Sequence, residues 1–200
     1  MSIANLRNKI ALRGGFVNAH SHLDRSNTAN SFSEEEKYKH LTEKWKLVDK
    51  IKKQSSYKDY KDRISFELSN QVVNGVSVIC SFIDIDSIAS SKAIIAASEI
   101  SKQRDDIKFL IACQTLKGVL DDTSKMLILN SISKIDIIGS LPGTDKGKEA
   151  EHLDIVMGWA KKYKKRLHVH VDQLNTPNEK ETELLARKTI QHGLEGKVTA

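Results

Sequence analysis

Two histidines one residue apart, His20 and His22, follow an apolar run and precede an acid in "GGFVNAHSHLDR" (residues 14–25). On a strand, alternate side chains share a face, so these imidazoles project together with Ser21 opposite. Placed so, they could grip one metal ion, or they could be two unrelated polar residues at a strand end. A second pair, His168 and His170, closes the apolar run "RLHVHV" (166–171). His170 is nearer the end of that run and so nearer the first pair. Three neutral imidazoles with an open position suit one divalent first-row ion, zinc or iron. Such an ion lowers the pKa of a bound water to about 7 and makes a nucleophile at neutral pH.

Other reactive side chains fall at corresponding places. Asp24 follows the first pair, Asp84 and Asp86 end a second apolar run, Gln114 ends a third, and Asp172 and Gln173 follow the last. The runs that carry them, 15–20, 76–83, 108–114, 135–141 and 166–171, are apolar nearly throughout, as parallel strands buried on both faces are. Amphipathic stretches between them predict helices over 34–53, 57–73, 87–103, 121–133, 147–164 and 178–192. The first opens after Ser33 with an acidic turn, and the last stops at a glycine, Gly193. Strand and helix alternate five times, which predicts a parallel sheet with right-handed crossovers. Sites on such sheets lie at the C-terminal ends of the strands, where these residues are.

Two architectures compete, an open doubly wound sheet and a (β/α)8 barrel. No glycine-rich phosphate loop follows the first strand, which weighs against the nucleotide-binding open sheets. The final "GKVTA" (196–200) reads as a sixth strand beginning, so the alternatives are an open sheet or the first part of a barrel. The polar loop "RSNTANSFS" (25–33) is long enough to be functional.

At 200 residues, 39% apolar and 29% charged, the chain is long enough for one domain with a core. Its net charge of +6 is spread over lysine-rich helix faces such as "KKYKKR" (161–166), without aromatic interleaving or a reading motif, so no nucleic-acid partner is expected. The two cysteines, Cys80 and Cys113, lie in apolar runs and are expected as buried thiols of a reducing, cytoplasmic compartment. No run is long enough for a membrane helix and the N-terminus is too polar for a signal peptide. Trp45 and Trp159 are expected in packing, and His40, His152 and His192, all on helices, at the solvent. The compact zinc-deaminase and H-E-x-x-H patterns are absent.

The stretches 14–25, 71–86, 135–145 and 164–200 together resemble the amidohydrolase superfamily of metal-dependent barrel hydrolases, and within it the cytosine-deaminase-like branch. The resemblance implies that residues 1–200 are the N-terminal part of such a barrel, strands one to five and the start of six. It further implies that His20, His22 and His170 are metal ligands. The family's strand-six histidine and strand-eight aspartate fall outside these residues. Where cytosine deaminases carry a proton-shuttling glutamate, three residues after the strand-five histidine, this chain has Gln173, with Asp172 beside it. An amide hydrogen-bonds but does not exchange a proton at neutral pH. The expectation is therefore hydrolysis of a C–N bond in a small nitrogen heterocycle or amide, with Gln173 and Asp172 at the chemistry and Gln114 and Gln173 holding substrate. The alternative is a non-catalytic partial barrel that keeps part of the metal site. A homo-oligomer is compatible with either.

Overall fold

A computed structural model describes residues 2–174 and 176–200. Six strands form one sheet: β1 (Phe16–Ser21), β2 (Val76–Asp84), β3 (Lys108–Gln114), β4 (Ile137–Ser140), β5 (Arg166–Val169) and β6 (Val198–Thr199). All neighbouring pairs are parallel, and their order in space is their order in sequence. A doubly wound sheet reverses direction partway; this one never does, so it is a partial (β/α)8 barrel. The helices are α1 (Ile3–Leu12), α2 (Glu34–Lys37), α3 (Leu41–Gln54), α4 (Tyr57–Val73), α5 (Lys92–Gln103), α6 (Asp122–Asn130), α7 (Glu149–Tyr163) and α8 (Glu181–His192). Among the described residues no helix is long and apolar enough to cross a membrane.

Strand alternation sorts the core into two parts. Ile79 and Ile83 of β2, Phe109, Ile111 and Cys113 of β3, and Leu167 and Val169 of β5 face the helices. Cys80 and Phe82, with Ala112 and Ile137, make a smaller cluster on the inner side. The same two-residue period sends Gln114, His168 and His170 inward. Both cysteines are buried free thiols whose pKa burial raises to about 11, so neither is an activated nucleophile.

Gly139 of β4 has a packing reason. A Cβ there would lie 1.8 Å from the Cys113 carbonyl oxygen and 3.0 Å from Phe82, both within the sheet. Gly139→Ala is therefore expected to cost about 1–3 kcal/mol or more, read from urea denaturation. A midpoint equal to wild type would show that β4 can back away.

Several elements differ from the sequence expectation. The helix expected over 34–53 is two helices, because His40 is extended (φ −61°, ψ 157°) and starts α3 afresh. Ser33 and Glu36 close a capping box on α2, as Ser56 and Asp59 do on α4. The N-terminal helix α1 was not anticipated; none of its residues is buried, so it has no core-facing stripe to read. His152, expected at the solvent, is fully buried on α7. Its Nε2 meets Ser140 Oγ at 2.8 Å and its Nδ1 meets Asp145 Oδ2 at 2.6 Å, so both ring nitrogens are satisfied inside the protein.

Candidate metal centre

His20 ends the inward alternation of β1, His22 follows it, and His170 comes directly after β5. Their strands are four places apart in the sheet. A flat sheet would separate them by about 19 Å at 4.8 Å per strand. Instead His20 Nε2 and His170 Nε2 are 3.2 Å apart, so the sheet curls until its first and fifth strands meet at their C-terminal ends. One ring nitrogen from each of His20, His22 and His170 lies within 4.8 Å of the others. Tetrahedral ligands with bonds of 2.0–2.1 Å sit about 3.3 Å from one another. The three-imidazole set fits a divalent ion.

Phe82 is the floor. Its ring centroid is 4.8 Å from that of His20, 5.4 Å from His22 and 4.3 Å from His170. This apolar floor and the crowding of like groups keep the imidazoles uncharged. Burial, with the neighbouring Arg25 charge, pushes His22 down to about 2, and burial with His20 pushes His170 down to about 4. His20 is also lowered by burial. Uncharged imidazoles keep the lone pairs a metal needs. His168, inward but one turn of the alternation lower, lies near Phe82 (6.3 Å between centroids) and is not part of the three-nitrogen group.

Arg25 was not singled out in the sequence. Its Nη2 is 2.6 Å from His22 Nδ1 and 3.1 Å from Gln114 Oε1, joining the first strand's histidine to the end of β3. Behind it lies a buried ionic group. Arg25 Nε faces Asp84 at 3.7 Å and Asp24 at 4.0 Å, and Lys52 of α3 reaches Asp86 at 2.6 Å and Asp84 at 3.2 Å. Burial and the adjacent Asp84 raise the Asp24 carboxyl to about 7, although the Asp84 backbone N–H donates to it at 2.8 Å. Burial alone would lower the Lys52 ammonium; Asp84 and Asp86 hold it above its ordinary value. Thus the carboxylates expected as strand-end chemistry, Asp84 and Asp86, serve to anchor α3 and Arg25.

The remaining expected residues go to different places. Asp172 has φ +50°, and its carboxylate accepts the backbone N–H groups of Glu181 at 2.9 Å and Thr182 at 3.3 Å. It caps α8, whose own N-cap residue, Lys180, supplies no side-chain bond. Asp172→Ala is expected to cost about 1 kcal/mol in thermal or urea unfolding while leaving metal content unchanged. Loss of metal without loss of stability would return Asp172 to the chemistry. Gln173 has no hydrogen-bond partner among the described residues and lines a cavity of about 540 Å³ with Trp45, Leu141 and Leu184.

No family model matches the chain. It is 41% identical to an uncharacterized protein of Haemophilus influenzae over 96% of this chain and 72% of that one. It is 28% identical to the N-isopropylammelide isopropyl amidohydrolase of a Pseudomonas species, over 92% of this chain and 48% of that enzyme. Among solved structures it resembles the 5-methylcytosine deaminase of Klebsiella pneumoniae bound to phosphonocytosine (TM-score 0.84, 21% identity, 92% of this chain and 46% of that one). It also resembles the N-isopropylammelide isopropylaminohydrolase of Burkholderia multivorans (TM-score 0.72, 20% identity, 92% and 47%). The chain spans about half the length of these three enzymes.

Proposed function

We propose that the chain is a member of the amidohydrolase superfamily and a metal-dependent hydrolase of a non-peptide C–N bond, a reading supported by its likeness to an amidohydrolase and by its barrel-type sheet. Its substrate class is a small nitrogen heterocycle or amide, in keeping with the names of its relatives. The observation that carries the reading is the convergence of His20, His22 and His170, one nitrogen of each within 4.8 Å of the others and those of His20 and His170 3.2 Å apart, at the strand ends where barrels build their sites. When bound there, a zinc or iron ion supplies an acidified water and polarises the scissile carbon.

The chain's own residues divide the remaining work. Phe82 gives the imidazoles an apolar floor. Gln114, fixed by Arg25, offers its amide to the substrate. Gln173 orients substrate by hydrogen bonding without exchanging a proton. The loop 25–33 and α3 shield the Arg25 side, enclosing a cavity of about 380 Å³ lined by Arg25, Phe32 and Leu47. Gln173 also favours a second reading, in which the chain keeps the metal and does not hydrolyse.

Elemental analysis tests the site first. Wild type should carry about one equivalent of a first-row divalent metal, and the His20→Ala, His22→Ala, His170→Ala triple variant essentially none. Equal metal in both would place the ion elsewhere. Release of ammonia or an amine from heterocyclic substrates, lost on chelation, separates the hydrolase from the non-catalytic reading.

A further inference from the structure

Gln114 is the last residue of β3 and only 3% exposed, so the few directions its amide can take are set by its neighbours. The neighbour that sets them is Arg25, whose Nη2 is 3.1 Å from Oε1. A guanidinium carries five N–H donors and no acceptor, so the amide atom facing it has to be the oxygen. The amide N–H₂ is thereby turned the other way. It has no partner among the described residues, and it is not one of the partnerless polar atoms sealed in the interior, which include oxygens of Asp24 and Asp84. It lies at the C-terminal end of β3 on the inner side of the sheet.

Arg25 is itself held from several sides. The same Nη2 meets His22 Nδ1 at 2.6 Å, and Nε faces Asp84 and Asp24 at 3.7 and 4.0 Å. Together these contacts pin the guanidinium where Gln114 Oε1 accepts from it.

We propose that Arg25 is a positioning residue that makes Gln114 a one-way hydrogen-bond donor, so that the site selects ligands presenting an acceptor over those presenting N–H. The acceptor would be a ring carbonyl oxygen or a bare ring nitrogen. A ligand with N–H at that point would set donor against donor and leave both unpaired, which costs more than a missing contact. The inference rests on the hydrolase reading only for where the ligand sits, and it requires no metal.

The test is ligand binding by NMR titration of the full chain in chelator, with two small rings. One is 1-methyl-2-pyridone, which offers only a carbonyl acceptor; the other is aniline, which offers chiefly N–H. Wild type should prefer the pyridone by about tenfold or more. Arg25→Met frees the amide to turn, and the preference should fall to about threefold or less. Gln114→Glu replaces the donor by a carboxylate that only accepts, and the order of the two rings should reverse. Melting curves report whether Arg25→Met folds; if it does not, the reversal in Gln114→Glu decides alone. Equal binding of the two rings by wild type, no binding of either, or an unchanged order in Gln114→Glu overturns the proposal. Acceptor preference without any hydrolytic activity would remove only the hydrolase reading.

Discussion

Lys52→Met is expected to cost about 3–5 kcal/mol of folding stability, seen as a large drop in the urea midpoint. Methionine keeps most of the volume, so the loss is electrostatic. Lys52 is 1% exposed and bridges Asp84 and Asp86, themselves 1% and 0% exposed. Without the ammonium, Asp86 keeps the backbone N–H groups of Ile88 and Ala89, at 3.0 and 2.9 Å. Asp84 keeps only the distant Arg25, and neither of its oxygens has a hydrogen bond to fall back on. An uncompensated buried carboxylate takes a proton or drags in water, and either loosens α3 from the sheet. Adding Asp84→Asn should recover part of the loss. A cost under about 1 kcal/mol for Lys52→Met would mean that the pair is hydrated and weak.

Gln173→Glu, placed in a completed eight-strand barrel, is expected to raise cytosine deamination by about 10²–10⁴-fold, the usual worth of one positioned acid–base group. Residues 1–200 by themselves are expected to show no measurable turnover of cytosine, with glutamine or with glutamate at 173. The reasoning separates two requirements. The resemblance to cytosine deaminases implies a carboxyl three residues after His170 for proton transfer, and an aspartate from an eighth strand for activating water. The amide of Gln173 meets neither, and the adjacent Asp172 carboxylate is committed to the start of α8. Steady-state assays of ammonia release, with and without chelator, read both arms. Brisk, chelator-sensitive deamination by residues 1–200 would refute the role given to position 173.

The parallel strands were legible because their apolar runs are continuous: 108–114 matches β3 and 57–73 matches α4 at both ends. The histidine pairs were legible because a two-residue period needs no tertiary knowledge. What joins distant segments was not. Nothing local to Arg25 announces a bond to Gln114, 89 positions away, and nothing local to Phe82 announces that it underlies three rings. His152 looked like a helix-surface residue because a polar side chain on an amphipathic helix usually is one. Its partners Ser140 and Asp145 come from the end of β4 and the turn after it, which only the packed sheet brings together. The choice between barrel and open sheet was not readable from periodicity, since strand order is a property of pairing, and it was the resemblance of whole stretches that pointed to the barrel the sheet order bears out.

The contact between His20 and His170 spans 150 positions. An ion gripped by both is a cross-link, closing three quarters of the chain into a ring, and loop closure of that length is among the most entropically demanding steps in folding. The centre should accordingly be the last part of the fold to assemble and the first to open. Metal that binds only the assembled form then acts as a latch on it, shifting stability by mass action as its free concentration rises. Hydrogen exchange should show the ends of β1 and β5 slowing most when zinc is added, while the outer contacts of α4 and α5, such as Tyr57 with Glu99 only 42 positions on, change least.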